Sequence, residues 1–180
     1  MVALLVPVLS GCGLLGGLSE TRLNSAESLT VTSPVFGVDV RLPKIYRLPD
    51  IYTCHGAGLS PPLQWSGAVT PAPKSYAIVV DDSLAPVSPY VYWIVFDLSP
   101  NTVAIGQSLL PTGALQAENS AGRASYDPPC PHGKWHEYRF TVYALNSRIR
   151  LPNGVGLRQA WSAIASHVIA SGRLTARAYP

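Results

Sequence analysis

The sequence predicts a single, mainly β domain with one helix near its C-terminal end. Three stretches rich in β-branched and aromatic residues have the length of strands: residues 75–82, 91–98 and 136–145. The chain also contains 15 glycines and 17 prolines, which are the residues that separate short strands. Its 180 residues and 47% apolar content suit one domain with its own hydrophobic core.

Weaker patterns surround the three central strands. Partial alternation of apolar and polar residues predicts short strands at 29–32 and 35–42. Between 155 and 171 apolar residues recur at helical spacing, and Gly172 stands where a C-terminal stop is expected, so we predict a helix there. Alternation from 173 to 178 predicts a final, half-exposed strand.

The N-terminal segment has the features of an export signal. It is apolar, too short to span a bilayer, and ends in Leu-Ser-Gly-Cys at Cys12, which resembles a bacterial lipobox. The segment lacks a basic start, and a buried N-terminal strand or helix is the alternative interpretation. We expect residues 1–12 to be the signal, 13–28 a flexible tether and 29–180 the folded domain. The protein would then be lipid-anchored on the extracytoplasmic side of the cell membrane.

The remaining two cysteines are Cys54 and Cys130. Export would place the domain in an oxidising compartment, where these two thiols can pair, so we predict a disulfide between them. Their spacing does not match a zinc site, and we expect neither a metal nor a cofactor.

The charge distribution argues against a nucleic-acid partner. The formal charge of +3 comes from ten arginines and three lysines that are scattered along the chain. A surface that follows a nucleic-acid backbone would need these cations to be clustered.

Candidate binding residues occur at the ends of two central strands. Because side chains alternate along a strand, His136 and Tyr138 share a face, and a proline-dense loop at 126–133 can form a pocket wall beside them. Asp82 ends the first central strand, where a carboxylate is ordinarily a solvated turn former. If Asp82 instead faces His136, it can set the imidazole tautomer or meet a ligand amine.

Several motifs, taken in order, resemble the phosphatidylethanolamine-binding proteins in their bacterial Raf-kinase-inhibitor-like branch. The resemblance extends from about residue 52 to 179, and it implies an antiparallel β-sandwich with a few peripheral helices and a small pocket for a phosphate or phosphoethanolamine-like group. The motifs are SPPLQW at 60–65, VDDSLAP at 80–86, YWIV at 92–95, PCP at 129–131, HEY at 136–138 and YAL at 143–145.

The resemblance also implies which residues bind the ligand: Asp82, Pro86, Tyr92, His136 and Tyr138. His132 is a further candidate because of its place on the proline-dense loop, and the alternative is an exposed surface histidine. The chain departs from the family pattern at several positions: Leu84 replaces an aspartate, Tyr92 a histidine, Pro128 a glycine, His132 a proline and Glu137 an arginine. Fewer cations at the pocket should weaken the attraction for bare phosphate and favour a zwitterion.

The function that these features favour is binding of a small anionic or zwitterionic group, or of a phospholipid head group, by a cell-envelope lipoprotein. The alternative is a protein-interaction module that inhibits a kinase or a protease, as some family members do. A hydrolase is the least favoured class, because the chain has no Gly-x-Ser-x-Gly or His-Glu-x-x-His motif. We therefore expect no enzymatic activity.

Overall fold

The computed structural model describes residues 29–47, 56–85, 89–131 and 134–179. The predicted signal and tether, residues 1–28, lie outside these ranges. The described elements are β1 (Thr30–Thr32), β2 (Val40–Arg41), a 3-10 turn (Lys44–Tyr46), β3 (Leu63–Ser66), β4 (Ser75–Asp82), β5 (Tyr90–Leu98), β6 (Ala104–Ile105), β7 (Leu115–Ala117), β8 (His136–Leu145), α1 (Leu157–His167) and β9 (Val168–Ala178).

The strands form two sheets that share one core, which confirms the prediction of a mainly β fold. The larger sheet has the order β2-β9-β8-β4-β5-β7, and the smaller one has the order β1-β3-β6. All described pairs of strands are antiparallel except β2 and β9. Val31 and Trp65 of the smaller sheet belong to the same apolar cluster as Ile78 and Phe140 of the larger one.

The other face of the larger sheet is covered by α1. Ala160 and Ile164 of the helix cluster with Val79 and Phe96 of the central strands. Strand β4 is therefore buried on both faces, which explains its run of five apolar residues at 76–80. Within the described ranges, no helix has the length and apolarity that crossing a membrane requires.

The helix prediction is wrong at its C-terminal end. The helix stops at His167 rather than near residue 171, because Val168 adopts an extended conformation and residues 168–171 pair with the end of β8. Gly172 does not end a helix. It lies within β9, where an added Cβ would stand 2.1 Å from the carbonyl oxygen of Leu29, so glycine is required by the close approach of the β1 segment.

Two further sequence predictions need correction. The strand expected at 35–42 is reduced to Val40–Arg41, because Phe36 turns into the core and Asp39 has a positive φ of 55°. The final strand begins at Val168 instead of residue 173. The described part of the chain has one α-helix and one 3-10 turn besides its strands.

Candidate functional site

A buried aspartate and a histidine meet where β4 ends and β8 begins. Antiparallel pairing sets Asp82 opposite Tyr138, and His136 lies two residues earlier on the same strand face. The Nδ1 atom of His136 is 2.5 Å from Oδ2 of Asp82, whose side chain is 2% exposed. The other carboxylate oxygen accepts a hydrogen bond of 2.8 Å from the backbone N–H of Leu84. Asp82 therefore both holds the turn and orients the imidazole.

Two aromatic rings extend this face of the sheet. The rings of His136 and Tyr138 are nearly parallel, with centroids 6.3 Å apart. The ring of Tyr92 stands edge-on to that of Tyr138 at 5.4 Å. The structure thus brings together four of the predicted binding residues: Asp82, Tyr92, His136 and Tyr138.

A β-bulge in β5 places Tyr92 on this face. Val80 pairs with Trp93, but the next residue, Asp81, pairs with Val91, so Tyr92 is the extra residue. Regular alternation would have sent Tyr92 and Trp93 to opposite faces. Both instead contact the core between the two sheets, because the bulge redirects the side chain.

The tyrosine hydroxyls beside Asp82 are held in their neutral form. Burial, reinforced by neighbouring charges that include Asp82, raises the pKa of both Tyr92 and Tyr138 well above 10. The hydroxyl of Tyr138 is buried and makes no hydrogen bond within the described residues. The Tyr92 hydroxyl is near enough to affect the Tyr138 pKa but is not in hydrogen-bond geometry. A neutral phenol with an unused hydrogen can donate to an oxyanion.

Burial of the tyrosines predicts a loss of stability at alkaline pH. Unfolded tyrosine titrates near pH 10, whereas the folded protein keeps these protons, so the unfolded state binds fewer protons above that pH. The free energy of unfolding should therefore fall as pH rises from about 10 to 12, the latter being the pKa of Tyr90. The seven tyrosines with pKa values raised mainly by burial are Tyr46, Tyr76, Tyr90, Tyr92, Tyr126, Tyr138 and Tyr143.

Ultraviolet titration of tyrosinate, with and without urea, checks this. The native curve should lie at higher pH than the unfolded curve. Two superimposed curves would contradict the prediction.

Sequence reasoning missed a second carboxylate at the rim of the site. The buried Asp127 accepts a 2.6 Å hydrogen bond from the hydroxyl of Tyr90 and pairs with Arg123. Its backbone N–H donates to the carbonyl of Tyr92 at 2.9 Å, which holds the proline-dense loop against β5. The sequence feature that could have indicated Asp127 was its position in that loop, two residues after Ser125 and directly before the prolines.

A buried cation also lies near Tyr138. Arg47 is 3% exposed, and its guanidinium donates hydrogen bonds to the carbonyl oxygens of Leu42 and Tyr179. It is close enough to Tyr138 for the two groups to interact electrostatically, while burial is the main cause that lowers the Arg47 pKa. Arg47 supplies positive charge on this side of the domain, where Glu137 replaces an arginine.

A separate open groove of about 840 Å³ runs along α1. It is lined by Leu157, Ser162 and neighbouring helix residues, and it lies on the face of the larger sheet opposite to Asp82 and His136. Its lining contains Arg158 but no carboxylate, histidine or tyrosine. We therefore take the Asp82–His136 region as the candidate site.

Four other predicted site residues lie outside the described residues: Pro86, His132, Cys12 and Cys54. Because neither other cysteine is described, the disulfide between Cys130 and Cys54 stays a prediction. Such a bond would close a long loop and add on the order of 4 kcal/mol to the free energy of unfolding.

Comparison with known proteins places these features in context. The family model described as phosphatidylethanolamine-binding protein matches residues 35–179. A Mycobacterium tuberculosis protein with the name "Putative lipoprotein LppC" is 35% identical over 187 residues, covering 94% of this chain and 89% of its own.

Two crystal structures are similar in fold. Escherichia coli YbcL is described as a new member of the mammalian PEBP family. It has a TM-score of 0.78 and 27% identity, covering 85% of this chain and 99% of its own. The phosphatidylethanolamine-binding protein homologue CT736 from Chlamydia trachomatis has a TM-score of 0.73 and 31% identity, covering 86% of this chain and 99% of its own.

Proposed function

The chain belongs to the phosphatidylethanolamine-binding protein family, and on this premise we propose that it binds a small zwitterion such as phosphoethanolamine beside Asp82 and His136. The observation that carries the proposal is the buried Asp82–His136 pair, which lies next to the Tyr138 hydroxyl, a group without a hydrogen-bond partner among the described residues. Buried polar groups that converge on one point and lack a partner in the protein are typical of a ligand site.

Each group has a role that suits its charge. The neutral hydroxyls of Tyr92 and Tyr138 would donate hydrogen bonds to phosphate oxygens. The Nδ1–H of His136 donates to Asp82, so the Nε2 atom of His136 would accept a hydrogen bond from the ligand's ammonium group. Arg47 would add longer-range attraction for the anion.

The carboxylates explain why a zwitterion is favoured over bare phosphate. The Asp82 carboxylate is hydrogen-bonded to His136 and to the Leu84 backbone. The Asp127 carboxylate, at the rim of the site, accepts a hydrogen bond from Tyr90. These negative charges would repel a dianion but would attract an ammonium group on the same ligand.

We propose binding rather than catalysis because the hydroxyls beside the histidine are poorly suited to nucleophilic attack. Phenols with raised pKa values remain protonated at neutral pH, and among the described residues neither hydroxyl makes the hydrogen bond to His136 through which the imidazole could act as its base.

The proposal includes the cellular location. We propose that Cys12 is acylated and holds the domain on the extracytoplasmic side of the membrane through the tether at 13–28. The lipobox-like ending of residues 1–12 supports this, together with the lipoprotein name of the mycobacterial relative.

The test is calorimetric titration with phosphoethanolamine. His136→Ala should weaken binding by about 1.5–3 kcal/mol, the range for a hydrogen bond with a charged group. Tyr138→Phe should weaken binding by roughly 1 kcal/mol with little loss of stability, because its hydroxyl has no partner in the described protein.

Matched controls come from outside the site. Tyr143→Phe alters a buried tyrosine on the opposite face of β8, and His167→Gln alters the end of α1, so both should bind like the wild type. The proposal is wrong if the two site variants also bind like the wild type, or if no binding is detected in the wild type.

A further inference from the structure

We propose that one corner of the larger sheet is a docking surface for an anionic lipid bilayer, separate from the head-group site. We call it the basic–aromatic surface. It consists of Arg41, Lys44, Trp135, Arg177 and Tyr179, all of which are exposed or half-exposed.

The register of three strands assembles this surface. Arg41 of β2 pairs with Arg177 of β9, and His136 of β8 pairs with Ala178. Trp135, which directly precedes β8, and Tyr179, which directly follows β9, therefore lie at adjacent strand ends. The carbonyl of Tyr179 accepts a 3.0 Å hydrogen bond from buried Arg47, which fixes this end of the chain to the core.

An arginine guanidinium lies over each exposed ring on this surface. The guanidinium carbon of Arg177 lies 5.1 Å from the ring centre of Trp135, and that of Arg41 lies 5.8 Å from the ring centre of Tyr179. Trp135 is 40% exposed and Tyr179 is 43% exposed. Tryptophan and tyrosine favour the interface between water and lipid, where arginine can pair with lipid phosphates.

The charge of the surface is positive. The exposed Lys134 adjoins it. Its cations are therefore four, and they outnumber the two nearby carboxylates of Asp39 and Glu137; the four are Arg41, Lys44, Lys134 and Arg177. Glu137 is 3.7 Å from Arg177, and both side chains are partly exposed, so water screens this pair.

Exposed apolar side chains adjoin the basic–aromatic surface. Of the ten large apolar side chains that are exposed in the described residues, two are its own rings, Trp135 and Tyr179, and two are chain neighbours of its cations, Val40 and Ile45. Exposed apolar side chains bordered by cations suit a bilayer with anionic head groups better than they suit water.

The path of the chain favours a bilayer as the partner. The backbone N–H of Leu29, where the described chain begins, donates to the carbonyl of Ser171 on β9, the strand that also carries Arg177. A tether of the length of 13–28 has a root-mean-square span of roughly 22 Å if it is flexible. A lipid at Cys12 would thus hold this strand within reach of the membrane; this step alone rests on the proposed anchor.

The experiment uses the full chain with Cys12→Ser, which cannot be acylated, and measures its co-sedimentation with vesicles. Binding to vesicles of phosphatidylglycerol and phosphatidylcholine is expected, with much weaker binding to phosphatidylcholine alone. The double variant Arg41→Gln/Arg177→Gln should reduce the partition coefficient about 25-fold, at about fivefold for each arginine. Arg158→Gln, on α1, is the matched control and should change nothing.

A second measurement identifies the docked face. Brominated lipid should quench tryptophan fluorescence, and Trp135→Phe should remove most of the quenching, whereas Trp161→Phe, an exposed tryptophan on α1, should retain it. Equal binding to both vesicle types, an unaffected arginine double variant, or quenching that depends on Trp161 would each overturn the inference. His136→Ala should leave vesicle binding intact, so failure of the head-group site and failure of the docking surface are distinguishable.

Discussion

Replacing Asp82 with alanine should lower the free energy of unfolding by about 3–5 kcal/mol, because it removes two hydrogen bonds to a buried carboxylate, each worth about 1.5–3 kcal/mol. The carboxylate is almost fully buried and accepts hydrogen bonds from both the Leu84 backbone and His136. Without it, the Leu84 N–H loses its acceptor and the imidazole loses its orientation. Urea denaturation measures the stability change, and phosphoethanolamine titration should show a loss of affinity at least equal to that of His136→Ala.

The neighbouring residue provides a matched control. Asp81 lies on the opposite face of β4 and pairs with Arg139, which is the main cause that raises the Arg139 pKa. Both partners retain some exposure, so Asp81→Ala should cost less, about 1–2 kcal/mol, and should leave head-group binding unchanged. Equal losses of stability and affinity in the two variants would contradict the assigned role of Asp82.

Replacing Gly172 with alanine should destabilise the fold by about 3 kcal/mol, because the added methyl group meets backbone and cannot be accommodated by rotation of a side chain. The new Cβ would stand 2.1 Å from the Leu29 carbonyl oxygen and 2.8 Å from the Leu29 Cβ. The β1 segment must then move away from β9, which breaks the hydrogen bond from Leu29 to Ser171. Urea denaturation together with hydrogen exchange at the Leu29 amide measures both effects.

Gly37→Ala serves as the comparison. A Cβ there meets only a methyl group of Val40 at 3.9 Å, which is an ordinary contact. Its free energy of unfolding should stay within about 0.5 kcal/mol of the wild type. If Gly172→Ala were equally harmless, the close approach of β1 to β9 would not be a constraint on the sequence.

The central strands could be predicted because burial on both faces leaves a strong local pattern. The predicted bounds of two strands, Ser75–Asp82 and His136–Leu145, agree with the structure, and the third differs by one residue. The short strands β3, β6 and β7 were not predicted, since two to four residues carry too little periodicity.

The site was only partly predictable from its residues. The sequence places Asp82 at the end of one strand and His136 at the start of another, but 53 residues separate them. Only the pairing of β4 with β8 decides that they meet. The rim carboxylate Asp127 was missed because its contact with Tyr90 depends on how the loop folds back over β5.

The sequence by itself determined the mainly β class, the three central strands and the face shared by His136 and Tyr138, because these follow from periods of two residues along one segment. Only the tertiary structure shows how Tyr92, which the family resemblance assigned to the site, reaches that face, and that Gly172 belongs to a strand. The first depends on a bulge in the pairing of β4 with β5, and the second on the backbone of β1 pressing against β9. Both depend on contacts between segments that are distant in the sequence, and local periodicity does not predict such contacts.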